Sequence, residues 1–209
     1  MPEFIPGLKL SDLLYKEVIG PILSSKFPEV RCSAALIGSG SEVLGFDTSQ
    51  STDHHWGPRV QIFLEKKDYD TYAKKMDRVF RNSLPHHFRG YLTNFGAADE
   101  KGVRLLKDID SGPVKHRVEI GTLESFFKDY LGVDPDKPLR VQDWLTIPQQ
   151  RLLTVTAGRL YRDDTGRFSE LRKKLAYYPR DVWLYLLASQ WTRVSEEEAF
   201  VGRTGVSRR

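Results

Sequence analysis

Residues 38–59 have the sequence GSGSEVLGFDTSQSTDHHWGPR, and they connect two predicted strands. The strand before them is the apolar run over 30–37, and the strand after them alternates over 60–64. A loop of glycine and serine directly after a strand lets backbone N–H groups approach a phosphate closely. The tripeptide Asp53-His54-His55 stands shortly before the second strand and offers side chains of the types that bind metals. The stretch therefore predicts a site for a phosphate-bearing ligand and a metal.

The elements around this stretch predict an α+β fold. They are a helix over 10–24 interrupted at Gly20-Pro21, a helix over 69–80, a strand over 88–95, a strand over 114–120 and a helix over 122–132. In the strand over 114–120, Arg117 and Glu119 share one face. We therefore expect a small mixed β-sheet with flanking helices over residues 1–133.

The segment Asp134-Pro135-Asp136-Lys137-Pro138 predicts a boundary, after which residues 134–209 are mostly helical. In this region we expect a turn over 161–168. The last helix opens after Pro179 and is apolar on all sides from Val182 to Ala188, so it needs burial on most of its surface. Either it packs into its own domain or it requires a partner, for which self-association through this helix is one option.

Composition excludes several classes of protein. The formal net charge is +4, and Arg203, Arg208 and Arg209 in the tail contribute three of these charges, so the remainder gives no argument for a nucleic-acid partner. The single cysteine, Cys32, excludes an internal disulfide and a Cys-rich zinc site and is typical of a core residue. We find no signal peptide and no apolar run long enough for a bilayer, which predicts a cytoplasmic protein without membrane contact.

Three groups of residues resemble a known family. Gly40-Ser41 with Gly45, followed by Asp53-His54-His55, resembles the Gly-Ser and Asp-x-Asp pattern of the nucleotidyltransferase superfamily, whose fold is polymerase-beta-like. The string from Gly40 to Arg59, with Tyr177 to Trp183 and Phe200 to Arg203, is similar to the DUF4037 branch of that superfamily. The resemblance covers almost the whole chain. Members of that branch are longer, which implies that this chain is C-terminally truncated and that 134–209 is incomplete.

The resemblance implies a metal-dependent enzyme that moves a nucleoside monophosphate from an NTP to an unidentified hydroxyl or amine. The assignment is Gly40, Ser41, Arg59 and Arg117 for nucleotide binding, Asp53, His55 and Glu119 for the metal, and Asp53 and Glu119 for catalysis. Such a transfer needs phosphates held in place and their charge neutralised more than it needs covalent help. Glu119 would supply the third acid of the family, as a metal ligand or as a base toward the acceptor.

His55 departs from the family, which usually has a second carboxylate at this position. Magnesium prefers oxygen ligands, whereas imidazole also suits softer divalent metals, so we expect Mg²⁺ or Mn²⁺ and leave a softer metal open. The alternative function is a catalytically degenerate nucleotide-binding or scaffold protein with the same fold. A third hypothesis is a truncated product without function. Whether the chain is an enzyme therefore stays open at this point.

Four residue assignments also have alternatives. Asp47 could be the key acid instead of Asp53, or a turn former. Glu119 could lie on the solvent side of its strand. Trp56 could stack on a nucleobase or pack in the core, and His86-His87 could join His54 or His55 in a metal site or lie in an exposed loop.

Overall fold

The computed structural model describes residues 3–53, 56–97, 100 and 104–204, except for the side chains of 52, 53 and 199–204. The fold is α+β, as the sequence predicts, with a mixed four-stranded sheet, a two-stranded hairpin and flanking helices. The strands are β1 (Cys32–Leu36), β2 (Arg59–Leu64), β3 (His87–Phe88), β4 (Tyr91–Leu92), β5 (Arg117–Gly121) and β6 (Arg159–Asp163). The helices are α1 (Gly7–Leu14), α2 (Gly20–Lys26), α3 (Lys66–Ser83), α4 (Leu123–Leu131), α5 (Val141–Thr146), α6 (Gln149–Ala157), α7 (Arg167–Leu175) and α8 (Arg180–Thr204).

The sheet has the order β5-β2-β1-β6. Strand β1 is antiparallel to both of its neighbours, β2 and β6, and β2 is parallel to β5. The parallel pair is possible because α3 and the hairpin lie between β2 and β5 in the chain and make the crossover. The loop after β1 and the start of β2 therefore lie at the same end of the sheet.

The two faces of the sheet differ in polarity. One face packs on α1, α2 and α3 through an apolar cluster that includes Cys32, Ala34, Val60, Ile62 and Val118. The other face packs on helices α4 to α7 around Ala35, Phe63 and the half-buried Leu160 of β6. Because side chains alternate along a strand, the rest of this second face carries the polar residues of β2 and β5. This polar half of the sheet face includes the exposed side chain of Glu119.

The N-terminal helix is continuous through the predicted interruption. Residues Tyr15–Ile19 form a π-helical turn between α1 and α2, and the N–H of Gly20 bonds to the carbonyl of Tyr15. Pro21 follows directly after this turn, and it has no N–H to donate to the preceding turn. The expected break is therefore a widened turn, a common response to proline in a helix.

Three other boundaries differ from the expectations. The first residues of the predicted turn over 161–168 belong to β6, which pairs with β1 at the edge of the sheet. The strand predicted over 114–120 starts at Arg117, because Val114 and Lys115 bond to Arg81 and Asn94 instead of to β2. The strand predicted over 88–95 is the short hairpin of β3 and β4. The boundary near residue 134 stays a prediction, and the region beyond it contributes β6 to the sheet.

Helix α8 leaves the body of the protein after its first turns. Val182 is buried and Leu186 is half-buried, whereas every described side chain from Leu187 to Glu198 is exposed. Among the described helices, none offers the continuous apolar length that a bilayer requires.

Candidate functional site

The loop after β1 is built on glycines with positive φ. Gly38 has φ 83° and Gly40 has φ 140°, conformations that side chains disfavour. The N–H of Gly38 donates to the carbonyl of Thr154 in α6, which fixes the loop against the helical region. Ser41 then opens the short helical turn Ser41–Leu44 and is exposed to solvent. The loop therefore has one fixed end and presents Ser41 outward.

Arg59, the first residue of β2, lies beneath this loop. Its Nη2 donates to the carbonyl of Ser39 at 2.7 Å and forms an ion pair with Glu42. The side chains of Arg59 and Glu42 are only 10% and 5% exposed. Gly40 lies against both, and a Cβ at this position would be 2.7 Å from Cδ of Glu42. Arg59 therefore anchors the loop from behind, and its charge is neutralised by Glu42.

Asp47 supports the N-terminus of α1. Its Oδ2 accepts from the N–H of Gly7 at 2.6 Å and from Nε1 of Trp56 at 3.1 Å. Trp56 is buried and also packs against Phe4 and Tyr91, with ring centroids 5.8 Å and 5.1 Å away. Both side chains thus have structural partners, which favours the turn and packing interpretations over roles as a key acid and a base-stacking ring.

The polar half of the sheet face carries two cross-strand pairs. Arg59 pairs with Arg117, and Gln61 pairs with Glu119, so that the four side chains share one face. Nη2 of Arg117 donates to Oε1 of Glu119 at 3.0 Å, and its guanidinium lies 5.7 Å from the Phe95 ring centroid. The Glu119 side chain is 52% exposed. Glu119 is therefore accessible, and Arg117 holds one of its two oxygens.

A cleft opens between Glu119 and helix α4, and we call it the β5–α4 cleft. It has a volume of about 300 Å³ and is lined by Gln61, Phe63, Glu119, Ile120, Gly121, Thr122, Ser125, Phe126, Asp129 and Tyr130. The rings of Phe126 and Tyr130 stack with centroids 5.3 Å apart and form one wall. A Cβ at Gly38 would lie 3.5 Å from the Phe126 ring and 3.7 Å from the Tyr130 ring. The loop therefore lies directly beside the cleft.

Of the predicted metal ligands, only Glu119 has a side chain within the described residues. Asp53 ends the short helical turn Ser49–Asp53, but its side chain, like His54 and His55, lies outside the described residues. Within the part of the chain that the structure describes, no three His, Cys, Asp or Glu side chains are grouped as metal ligands. His86 bonds through Nε2 to the carbonyl of Gly112, and Nε2 of His87 lies 3.8 Å from Asp108.

The sequence did not predict several residues that surround the loop and the β5–α4 cleft. Gln61 was detectable, because alternation puts it on the face of Arg59; its Oε1 accepts from the N–H of Ile37 at 2.9 Å and holds the end of β1 in place. Glu42 carried no such signal, since an acid in a turn is usually solvated. Phe126 and Tyr130 are typical of the apolar face of a helix, and only the tertiary structure shows that they also border the loop.

Comparison with known proteins adds one match. Residues 144–208 match the model of a domain of unknown function, DUF4037. No curated protein and no solved structure matches the chain. The match covers α6, β6, α7 and α8 together with the second half of α5, and does not extend to the loop or to the polar strands.

Proposed function

We propose that the chain transfers a nucleoside monophosphate from an NTP to a hydroxyl or amine acceptor. One observation carries this proposal, namely that the Gly38–Ser41 loop lies beside the cleft that contains Glu119. A loop able to bind phosphates and an accessible carboxylate are the two parts that such a transfer needs within reach of one another. Asp53 belongs to the segment just before β2, and β2 pairs with β5, the strand of Glu119.

The chemistry would be an in-line displacement at the α-phosphorus. The acceptor oxygen or nitrogen forms a bond to this phosphorus, and the bond to the bridging oxygen breaks, so that pyrophosphate leaves. The acceptor proton passes to Oε2 of Glu119, while Arg117 holds Oε1 in position. A bound divalent metal, Mg²⁺ or Mn²⁺ in the first place, would supply charge stabilisation on the phosphates, with Asp53 and His55 as its proposed ligands, because Glu119 acts here as the base and not as a metal ligand.

The remaining residues would bind and orient the nucleotide. Gly40 and Ser41 would offer backbone N–H groups and a hydroxyl to the phosphates. Arg59 would act through the loop, because its guanidinium already holds the carbonyl of Ser39. Arg117 forms an ion pair with Glu119, and its positive charge would balance negative charge on that side of the cleft.

A second function is favoured by the Arg59–Glu42 pair. The cation beneath the loop is neutralised by a buried carboxylate, so it contributes little positive charge to a triphosphate. With His55 in place of a second carboxylate, the same site would suit nucleotide binding without transfer. The two functions share the ligand and differ in turnover.

One experiment separates them. The full chain is incubated with each NTP labelled on the α-phosphate, with Mg²⁺ or Mn²⁺ and a small-molecule cell extract as the acceptor source, and pyrophosphate release and label transfer are followed. Binding of each NTP is measured separately by calorimetry. Glu119→Gln should lower transfer by about a hundredfold or more, as expected for a general base. The exposed Glu29→Gln serves as the matched control and should change nothing.

The outcomes are distinct. Transfer that depends on Asp53 and Glu119 supports the enzyme. NTP binding without any transfer supports the second function and overturns the first. If no NTP binds, both functions are wrong.

A further inference from the structure

Helix α8 has an exposed apolar stripe on its outer side. Trp183, Leu187, Trp191 and Val194 follow one another at intervals of four, four and three residues, which places them along one face of the helix. Trp183 and Leu187 are each 51% exposed, and Trp191 is 74% exposed. The stripe extends for about 17 Å at the rise of an α-helix. Exposed tryptophans in a continuous stripe are typical of a surface that binds another protein.

The stripe continues into a groove between α8 and α6. The groove has a volume of about 480 Å³, and Leu153 of α6, which is half exposed, lies on its far side. Trp183 and Leu187 belong both to the groove and to the stripe. A helix laid against the stripe would therefore contact α6 as well as α8 and would be buried on more than one side.

Charges at the two ends of the stripe indicate which helix fits. Arg180 and Glu198 lie on the stripe side of α8, at equal distances from Ser189 in the sequence. Two antiparallel copies of α8 centred on Ser189 would place Arg180 of each copy opposite Glu198 of the other. A parallel pair would instead bring like charges together, which is unfavourable. In the antiparallel pair Leu187 would lie opposite Trp191.

We propose that the chain forms a two-fold symmetric dimer in which α8 packs antiparallel against α8 of a second copy, with α6 on the outside. Each protomer contributes α6 and α8, and the result is a four-helix interface. The surface is self-complementary, as a two-fold interface requires, because one stripe and one pair of opposite charges serve both copies. The proposal is independent of the function of the β5–α4 cleft.

The mass of the full chain in solution tests the proposal. Sedimentation equilibrium over a range of concentrations should give twice the 24.0 kDa of one chain. Leu187→Glu and Trp191→Glu should each raise the dimer dissociation constant at least about tenfold, as expected for central apolar contacts. Tyr185→Glu is the matched control. Tyr185 is also exposed and apolar, but it lies on the other side of α8 and should leave the dimer intact.

The orientation has its own test. Arg180→Glu and Glu198→Arg should each weaken the dimer, and the double variant should restore it, because the charges again face opposite charges. Circular dichroism confirms that each variant is folded. A monomer at every concentration overturns the proposal, and so does a dimer that survives Leu187→Glu. A dimer in which the double variant is weaker than either single variant overturns the antiparallel arrangement.

Discussion

Glu42 and Arg59 form an ion pair that is almost completely buried beneath the loop, with side-chain exposures of 5% and 10%. The pair connects the start of β2 to the turn after Gly40, and Arg59 also holds the carbonyl of Ser39 at 2.7 Å. The main-chain carbonyl of Arg59 accepts in turn from the hydroxyl of Ser11 in α1 at 2.6 Å. This one arginine therefore positions the loop, the strand and the helix relative to each other.

Glu42→Gln should destabilise the protein by about 3 kcal/mol or more, because it leaves the Arg59 charge buried without a counter-ion. Urea unfolding measures the free energy of unfolding. Combining Glu42→Gln with Arg59→Met should recover part of the loss, since the double variant has no unpaired buried charge.

The exposed ion pair of Lys66 and Asp70 provides the control for this prediction. Their side chains are 72% and 57% exposed, and Asp70→Asn should change stability by less than about 1 kcal/mol. Equal effects of Glu42→Gln and Asp70→Asn would contradict the structural role that we assign to the buried pair.

Gly40→Ala should distort the loop. At φ 140° any side chain is strained, and the new Cβ would collide with the Arg59 guanidinium and the Glu42 carboxylate. Gly112→Ala is the control, since Gly112 has φ 93° and no atom within 4 Å of its Cβ position, so that only the backbone strain remains. We expect Gly40→Ala to cost about 1–3 kcal/mol more than Gly112→Ala in urea unfolding. A smaller cost at Gly40 would show that the loop can adjust.

The sequence predicts the central elements of the fold well, because their patterns are local. Strands β1 and β2 are apolar or alternate, and α4 has both of its end signals, the cap of Thr122 and Gly132 with φ 74°. Strand β6 is not predictable in this way. Its sequence RLYRD is largely charged, and it forms a strand because β1 offers its free edge and Ser33 bonds to Asp163 at 2.9 Å.

The candidate site is predictable only in part, for a related reason. Spacing identifies Arg117 and Glu119 as neighbours on one strand face, and the structure has them 3.0 Å apart. Spacing cannot indicate that the Glu42 side chain is buried. Its carboxylate has room because Gly40 lacks a side chain, and it pairs there with the guanidinium of Arg59, which belongs to β2. Residues whose partners are distant in the sequence can be recognised only from the tertiary structure.

The protein should lose stability at mildly acidic pH because His116 is buried. The side chain is 4% exposed, and burial lowers the pKa of its imidazole below the ordinary 6.5, although Asp77 nearby favours the protonated form. Arg81, on the same helix as Asp77, opposes protonation. Because the folded state binds the proton more weakly than the unfolded state, the stability is complete above pH 6.5 and is lost as the pH falls through the folded-state pKa.

The measurement is urea unfolding of the wild type and of His116→Gln at several pH values between 7.5 and 5.5. The wild type should lose stability on acidification, and the variant should lose less. NMR titration of the imidazole gives the pKa directly. A titration at or above 6.5 in the folded protein would contradict the prediction.

Asp47→Asn should lower stability and leave any transfer activity in place. The Oδ2 atom accepts from the N–H of Gly7, the first residue of α1, and from Nε1 of Trp56, so the carboxylate caps a helix that has no cap of its own. An amide oxygen can still accept these bonds but lacks the charge, and we expect a loss of about 1 kcal/mol in urea unfolding, with a larger loss for Asp47→Ala. The exposed Asp110→Asn is the control. If Asp47 were instead the key acid of the chemistry, Asp47→Asn would abolish label transfer in a variant that circular dichroism shows to be folded, because an amide cannot supply the negative charge that a metal or a substrate would need.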